Sequence, residues 1–295
     1  MQLLDGKLLA SKIKSEIKLK IEQQTGTRPP HLAAILVGNN GASETYVSSK
    51  IKTCAEIGFG SSLYQLDEKT TQAELLNKIH ALNQDPDIDG ILVQLPLPAH
   101  MNENEILQAV ASEKDVDGFH PLNAGLLMQG TPRFIPATPY GIMLLLEHYG
   151  IETSGKHAVV IGRSNIVGRP ISVLLSQNSQ PGNCTVTVCH SRSAGLTAIC
   201  QQADIIIAAI GKPNFVKKEM IKPGAVVIDV GINRIPDSSK KSGFKLVGDV
   251  DFEELSDICA AITPVPGGVG PMTIAALLMN TMKSHALKFS KGNTA

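Results

Sequence analysis

A phenol and an amine stand four residues apart in a segment whose apolar spacing predicts a helix over residues 43–57. Because residues four apart share one helix face, the ring of Tyr46 and the amine of Lys50 are expected to be neighbours. A partly desolvated lysine shifts its pKa readily, so such a pair can handle protons. On an exposed face the same pair is only a surface stack. The sequence therefore predicts either a proton-transfer lysine or an ordinary ring–amine contact.

Two further polar positions lie where a parallel sheet would present them. Gln94 ends an apolar run that begins at Gly90, and open α/β sheets keep their ligands at the carboxyl ends of their strands. Asp115 and Asp117 stand two residues apart immediately before Gly118. One carboxylate can hold a guanidine-like edge through paired hydrogen bonds, but either can equally be an Asx-turn residue. Gln94 can equally cap a loop, and the spacing alone does not choose between these roles.

A strand, a tight turn and the start of a helix run from His157 to Gly168. Free backbone N–H groups and the helix dipole at such a turn favour an anion, so a phosphate can bind at this turn. The pattern departs from G-x-G-x-x-G, because Ser164 replaces the second glycine and Gly168 falls one position late. The preceding strand favours a nucleotide role over an ordinary β–α turn.

The segment after the next predicted strand, 185–189, favours one nucleotide over another. Folds that bind NAD usually place an acidic residue there to hold the ribose hydroxyls. Here His190, Ser191 and Arg192 follow the strand, and no carboxylate is present. Hydroxyl and guanidinium donors suit a 2′-phosphate, which predicts NADP with Arg163, Ser191 and Arg192 as candidate donors. The alternative is that Arg192 is a solvated loop cation.

A loop that mixes proline and glycine, residues 264–273, precedes the last helical pattern. Proline restricts the backbone and glycine relaxes it, so the loop suits close approach to a flat ligand. The alternative is a rigid turn between domains.

The elements that must position these residues alternate along the chain. Short apolar runs bounded by glycine, asparagine or proline predict strands at 32–37, 61–66, 90–94, 157–161, 185–189, 205–209 and 226–229. Helical spacing predicts helices at 8–21, 43–57, 72–82, 138–149 and 272–289. Strands that alternate with helices in this way predict an α/β fold with parallel sheets.

The composition limits the possible functions. A chain of 295 residues with 43% hydrophobic content is expected to form about two domains with a buried core. Its 27 Lys and Arg equal its 27 Asp and Glu, which argues against a nucleic-acid-binding protein. No apolar run approaches the roughly 18 residues of a membrane helix, and no secretory signal pattern is found, so we expect a soluble cytoplasmic protein. The five cysteines lack metal-binding spacing, so no metal is expected.

Five blocks of the sequence resemble the bifunctional methylenetetrahydrofolate dehydrogenase / methenyltetrahydrofolate cyclohydrolase family, and they follow the family's order along nearly the whole chain. The blocks are SETYVSSK at 43–50, GILVQLPLP at 90–98, KDVDG at 114–118, GRSNIVG at 162–168 and PGGVGPMT at 266–273. One departure is Ala137, where many members have cysteine. Alanine is a small apolar substitute, so we expect no effect on catalysis.

The resemblance implies a role for each matching position. It implies that Lys50 is the catalytic lysine, that Tyr46 packs over the pterin and that Gln94 orients the lysine. It implies that Asp117 grips the amino-pyrimidine edge of the pterin. The implied NADP contacts are Gly162, Arg163, Ser164, Ser191 and Ile232. The implied folate contacts also include Pro266, Gly267 and Gly268.

The resemblance also implies an activity and an architecture. The expected enzyme oxidises 5,10-methylenetetrahydrofolate to 5,10-methenyltetrahydrofolate with NADP and then hydrolyses the product to 10-formyltetrahydrofolate. Its partners are tetrahydrofolate one-carbon derivatives and a second copy of itself in a homodimer, with neither nucleic acid nor membrane. The implied domains are a folate-binding α/β domain over 1–138 and 265–295, and a Rossmann-type NADP-binding domain with a parallel sheet over 139–264.

Two other functions compete with this interpretation. One is a dehydrogenase that prefers NAD or lacks cyclohydrolase activity. The other is a non-catalytic nucleotide sensor or interaction protein, since a fold does not fix a function. The presence of Lys50, Gln94 and Asp117 argues against the sensor.

Overall fold

The computed structural model describes residues 1–240 and 243–290, the side chain of Ala42 excepted. Its helices are α1 (Gly6–Gln23), α2 (Gly41–Ile57), α3 (Gln72–Gln84), α4 (Glu103–Ala109), α5 (Pro121–Met128), α6 (Ala137–His148), α7 (Gly168–Ser176), α8 (Leu196–Cys200), α9 (Phe252–Leu255) and α10 (Val269–Ser290). Its strands are β1 (Gln2–Leu3), β2 (His31–Val37), β3 (Gly60–Leu66), β4 (Gly90–Val93), β5 (His157–Ile161), β6 (Thr185–Cys189), β7 (Ile205–Ala208), β8 (Val226–Asp229), β9 (Asn233–Pro236), β10 (Phe244–Val247) and β11 (Ala261–Ile262).

The chain divides into two compact units. One contains residues 1–11 and 138–273 and is called the six-stranded unit after its main sheet. The other contains residues 12–137 and the chain from residue 274, and is called the three-stranded unit.

The three-stranded unit is built on a parallel sheet in the order β3-β2-β4. The central strand, β2, is an uninterrupted apolar run after His31, and six of its seven residues are buried. Such a run is typical of a strand that is covered on both faces. α3 packs Leu75 and Ile79 into the same core as Ile35. It begins with a capping box, in which the Thr71 and Glu74 side chains each bond the other residue's backbone N–H.

The six-stranded unit has an all-parallel sheet in the order β1-β11-β8-β7-β5-β6. β6 lies on one side of β5 and β7 on the other, so the strand order reverses at β5 and β7. In open α/β sheets, ligands bind outside the carboxyl ends of the strands at this switch point. A separate antiparallel pair, β9 and β10, belongs to the same unit. The serine- and lysine-rich loop between them includes residues 241–242, which lie outside the described part of the chain.

The predicted α/β class with a parallel sheet is confirmed. The predicted strands are present with ends that agree to within one residue, and the predicted helices agree to within three residues at each end. The elements that were not predicted are β1, β9, β10, β11, α4, α5, α8 and α9. All of them are short, and the two residues of β1 or β11 are too few to show a periodicity.

Within residues 1–240 and 243–290, no helix combines the length and apolar character needed to cross a membrane. The same described residues include no cluster of three His, Cys, Asp or Glu side chains that could hold a metal ion. All five cysteines are buried and free.

Candidate active site

The amine of Lys50 lies inside the three-stranded unit, and the residue is only 5% exposed. α2 carries both Lys50 and Tyr46, and the Lys50 Nζ lies 4.6 Å from the centre of the Tyr46 ring. The same Nζ donates a hydrogen bond of 3.1 Å to the Oε1 of Gln94. The amine is therefore buried and fixed in direction, which differs from an exposed surface stack.

Gln94 is itself held in place at the end of β4. Its backbone N–H donates to the Ile35 carbonyl at 2.9 Å, and its Nε2 donates to the Leu95 carbonyl at 2.7 Å. Because the amide nitrogen is engaged, the amide oxygen faces Lys50. An amide oxygen accepts a hydrogen bond from either the charged or the neutral form of an amine. Gln94 can therefore position Lys50 in both protonation states.

Burial lowers the pKa of Lys50 below its usual 10.5, because a charged ammonium loses hydration in the interior. The nearby Asp117 carboxylate acts in the opposite direction, since a negative charge stabilises the ammonium. Burial is the larger effect. The site thus favours a lysine that can give up its proton more easily than a solvated one.

Asp117 is a buried carboxyl group that shares this environment. Burial raises its pKa to about 6, and the charge of Asp115 acts in the same direction. The positive charge of Lys50 opposes both effects. The charge of each group therefore shifts the pKa of the other, against the larger effect of burial.

The turn that carries Asp117 is fixed by its neighbours. The Gly118 N–H closes the turn on the Asp115 carbonyl at 3.0 Å, and Gly118 has φ +72°, which favours glycine. A Cβ at Gly118 would also lie 2.9 Å from the Pro136 nitrogen. On α10, the Asn280 Nδ2 donates to the Val116 carbonyl at 2.8 Å. These contacts leave the turn little freedom to move.

The structure separates the roles of the two aspartates, which their spacing alone did not. The Asp115 carboxylate accepts hydrogen bonds from the backbone N–H groups of Phe119 and His120, at 3.1 and 2.8 Å, and from Asn123 Nδ2 at 2.8 Å. Asp115 is thus the anchor of the turn, and Asp117 is the carboxylate beside Lys50.

The glycine turn of the six-stranded unit is equally specific. Gly162 has φ +132°, and a Cβ there would lie 2.2 Å from the carbonyl oxygen of Ala209. A Cβ on Gly168 would lie 2.3 Å from the Gly162 carbonyl oxygen. The turn that follows β5 therefore packs against the segment that follows β7, at the switch point of the sheet. Glycine is required at both positions although the spacing is not the usual one.

The polar side chains of this turn lie close to the start of α7. Arg163 and Ser164 are exposed. The Ser164 Oγ accepts from the backbone N–H groups of Val167 and Gly168, at 3.2 and 3.3 Å. This leaves the Ser164 hydroxyl proton available to an anion at the helix start. The turn fits a bound phosphate.

The other predicted NADP positions lie at the same edge of the sheet. Ser191 is exposed after β6, and Ile232 is 53% exposed after β8. The loop at Ser191 is shaped by a hydrogen bond of 2.9 Å from the His190 N–H to the Ser193 Oγ. Arg163, Ser164, Ser191 and Ile232 therefore all follow strands of one parallel sheet at their carboxyl ends.

The predicted folate contacts do not all lie in one unit. Pro266, Gly267 and Gly268 follow β11 and belong to the six-stranded unit, whereas Tyr46, Lys50, Gln94 and Asp117 belong to the three-stranded unit. Gly267 has φ +113°, and a Cβ on Gly268 would lie 2.7 Å from the Pro264 carbonyl oxygen. The backbone of this loop is thus compact and depends on its glycines.

Comparison with known proteins decides the family. A model of the tetrahydrofolate dehydrogenase/cyclohydrolase catalytic domain matches residues 4–117, and one of the NAD(P)-binding domain of the same family matches residues 136–289. The chain belongs to the tetrahydrofolate dehydrogenase/cyclohydrolase family. The bifunctional protein FolD of Cytophaga hutchinsonii is 57% identical over 290 residues, which cover 98% of this chain and 100% of that protein.

Solved structures of the family agree with this assignment. The bifunctional FolD dehydrogenase/cyclohydrolase of Campylobacter jejuni is 52% identical with a TM-score of 0.91, over 97% of this chain and 99% of that one. The FolD enzyme of Trypanosoma brucei, described as a complex with NADP cofactor and an inhibitor, is 38% identical with a TM-score of 0.91 over 99% and 98% of the two chains. The predicted family is therefore confirmed.

Sequence reasoning missed two buried polar groups of this family member that support the site. Asn280 is buried in the apolar C-terminal helix. A lone amide within an apolar helical run is the sequence signal that could have identified it. Asn123 holds both the Asp115 carboxylate and, at 2.9 Å, the Ser112 carbonyl. Neither is part of one of the five blocks, although Asn123 follows the KDVDG block and Asn280 follows the PGGVGPMT block.

Proposed function

We propose that this family member oxidises 5,10-methylenetetrahydrofolate with NADP and hydrolyses the methenyl product to 10-formyltetrahydrofolate, with Lys50 moving the protons of the hydrolysis. The observation that supports this most strongly is the buried Lys50 amine, hydrogen-bonded to Gln94 and with a lowered pKa. A general base works best when its pKa lies near the operating pH, and burial moves Lys50 in that direction.

Asp117 and Tyr46 are the proposed pterin contacts. The amino-pyrimidine edge of a pterin presents adjacent N–H donors, which a carboxylate can accept through two parallel hydrogen bonds. Asp117 is held on a fixed turn beside Lys50, so it can set the direction of the pterin relative to the amine. The Tyr46 ring, 4.6 Å from the Lys50 Nζ, offers an aromatic face to the pterin.

The cofactor supplies the oxidant of the first reaction: when bound, NADP accepts a hydride from the one-carbon bridge of the folate. The residues proposed to hold it are Gly162, Arg163, Ser164, Ser191 and Ile232. The close approach of Gly162 to Ala209 and the free hydroxyl proton of Ser164 fit a phosphate group at this turn. Arg163 and Ser191 are the proposed donors to the 2′-phosphate.

Lys50 has its clearest role in the hydrolysis. The methenyl carbon carries positive charge, so a neutral amine beside it avoids repulsion. Water adds to that carbon, and the amine of Lys50 takes one proton of the water. The resulting ammonium gives its proton to N5 as the bond between the carbon and N5 breaks. The remaining hydroxyl proton is released to solvent as the formyl group forms on N10.

Two assays test this function. One follows NADP reduction with 5,10-methylenetetrahydrofolate, and the other follows loss of methenyl absorbance without any cofactor. We expect both activities from the purified chain. If the chain reduced NADP but did not hydrolyse the methenyl compound, its function would be that of a dehydrogenase alone. If both activities were absent, the non-catalytic alternative would be favoured.

Replacing Arg163 with alanine tests the proposed 2′-phosphate contact. We expect kcat/KM for NADP to fall about 10–100-fold, the range for losing a charge-assisted hydrogen bond worth roughly 1.5–3 kcal/mol. kcat/KM for NAD should change little, because NAD lacks that phosphate. Lys218→Ala removes an exposed cation of the same unit and serves as the control. Equal losses with NADP and NAD would contradict the contact.

The remaining expectations belong to the same proposal. The chain is a cytoplasmic homodimer, as the resemblance implies, and light scattering should give twice the mass of one chain. Residues 1–138 and 265–295 carry the folate chemistry and residues 139–264 bind NADP.

A further inference from the structure

Two buried carboxylates of the six-stranded unit have no part in the chemistry described above. Asp229 is the last residue of β8 and is 3% exposed, and Asp249 follows β10 and is fully buried. Buried carboxylates are costly unless they are hydrogen-bonded, so their partners show what they hold in place.

Asp249 joins two loops at the carboxyl edge of the sheet. Its Oδ2 accepts from the backbone N–H groups of Ile210 and Gly211, at 2.7 and 2.9 Å. Its Oδ1 accepts from the Asn233 Nδ2 at 2.9 Å. The first two donors belong to the loop after β7, and Asn233 follows the exposed Ile232 in the segment after β8. One side chain thus fixes the backbone of the loop after β7 and the side chain of Asn233, the first residue of β9, where the loop after β8 ends.

Asp229 fixes Asp249 in turn. Its Oδ1 accepts from the backbone N–H groups of Gly231 and Asp249, both at 2.9 Å, and its Oδ2 accepts from the Val250 N–H at 3.0 Å. Burial raises the pKa of Asp229 to about 7, although these N–H groups act in the opposite direction.

Two glycines pack directly against the two carboxylates. A Cβ on Gly231 would lie 2.3 Å from the Asp249 Oδ1, and a Cβ on Gly248 would lie 1.7 Å from the Asp229 Oδ2. The backbone at Gly231 and Gly248 can approach this closely only because both residues are glycine.

The position of the loops after β7 and β8 in the sheet indicates which part of the cofactor they would contact. The loop after β7 begins at Ala209, whose carbonyl oxygen packs against the Gly162 turn at the switch point of the sheet. The proposed 2′-phosphate donors, Arg163 and Ser191, follow β5 and β6. The loops after β7 and β8 lie on the other side of the switch point, where the nicotinamide half of a dinucleotide would extend.

We propose that Asp249 is a positioning residue for NADP, which keeps the loops after β7 and β8 in the shape that receives the nicotinamide half of the cofactor. This rests on the proposed function, because it assumes that the six-stranded unit binds NADP. Asp249 acts through Ile210, Gly211 and Asn233 and does not itself contact the cofactor.

The test compares NADP binding with an activity that needs no cofactor. In Asp249→Asn we expect the Kd for NADP, measured by calorimetry, to rise about tenfold or more, since a charge-assisted anchor is replaced by a weaker one. Hydrolysis of the methenyl compound without NADP should stay within about twofold of wild type, because the residues proposed for that step, Lys50, Gln94 and Asp117, belong to the three-stranded unit and make no bond with Asp249. Asp257→Asn changes an exposed carboxylate of the same unit and should leave both readouts unchanged.

A milder variant keeps the test decisive if Asp249→Asn does not fold. Asn233→Ala removes only the bond to the Asp249 Oδ1, so the backbone bonds at Ile210 and Gly211 remain. We expect a several-fold rise in the Kd for NADP with a thermal unfolding midpoint close to that of wild type. The proposal would be overturned if folded Asp249→Asn and Asn233→Ala bound NADP as tightly as wild type. It would also be overturned if methenyl hydrolysis fell by the same factor as the affinity for NADP. A wild-type chain that does not bind NADP would instead overturn the proposed function.

Discussion

Replacing Lys50 with methionine is expected to lower turnover in methenyl hydrolysis by about 10²–10⁴-fold, the usual contribution of a positioned acid or base. Methionine has a similar length and fills the same apolar space, so the loss reports the amine and not a cavity. The Kd for NADP should stay close to that of wild type, because Lys50 belongs to the three-stranded unit and the proposed NADP contacts to the other. The measurement is methenyl decay without cofactor, together with NADP calorimetry.

The control for this result lies on the same helix. Lys52 is exposed on α2, so Lys52→Met removes an amine of the same type without touching the buried site. It should hydrolyse the methenyl compound at the wild-type rate. If Lys50→Met retained that rate as well, Lys50 would have no role in moving the protons.

Replacing Asp117 with asparagine is expected to have two effects that can be measured separately. The KM for folate should rise about 10-fold or more, because a paired, charge-assisted contact to the pterin is lost. As the pH is raised, the hydrolysis rate of Asp117→Asn should also start to increase at a lower pH than that of wild type. Asp117 raises the pKa of Lys50, so removing its charge lowers that pKa further and increases the neutral fraction of the amine at a given pH.

The pH dependence of folate binding in wild type supplies an internal check on the first effect. The pKa of Asp117 is raised to about 6, so folate binding should weaken as the pH falls through that value. The weakening should be absent in Asp117→Asn, which has no carboxyl group to protonate. Glu56→Gln, an exposed change on α2, should match wild type throughout. A pH profile that Asp117→Asn leaves unmoved would contradict the coupling between Asp117 and Lys50.

Local patterns predicted most of the fold and the residues around Lys50. The spacing of Tyr46 and Lys50 placed both on one helix face, and the position of Gln94 at the end of a strand placed its amide at a ligand-binding edge. These signals are available because i, i+4 neighbours and strand ends are read within a few residues of sequence.

Features that depend on distant partners could not be predicted in the same way. Asp115 and Asp117 have the same residue type and differ only in their partners, which include donors several residues further along the chain. Asn280 reaches the turn at Val116 from 164 residues away. Asp249 binds amides 38 and 39 residues before it. A sequence without a structure gives no sign of which buried polar groups will meet.

The most direct test of the account is the titration of the Lys50 amine itself. The Nζ signal can be followed by NMR in protein with isotopically labelled lysine and assigned with Lys50→Met. We predict a pKa below the ordinary 10.5 in wild type and a lower value in Asp117→Asn. A Lys50 that titrates at or above 10.5, or that does not respond to loss of Asp117, would contradict the claim that this buried amine is set up to transfer protons.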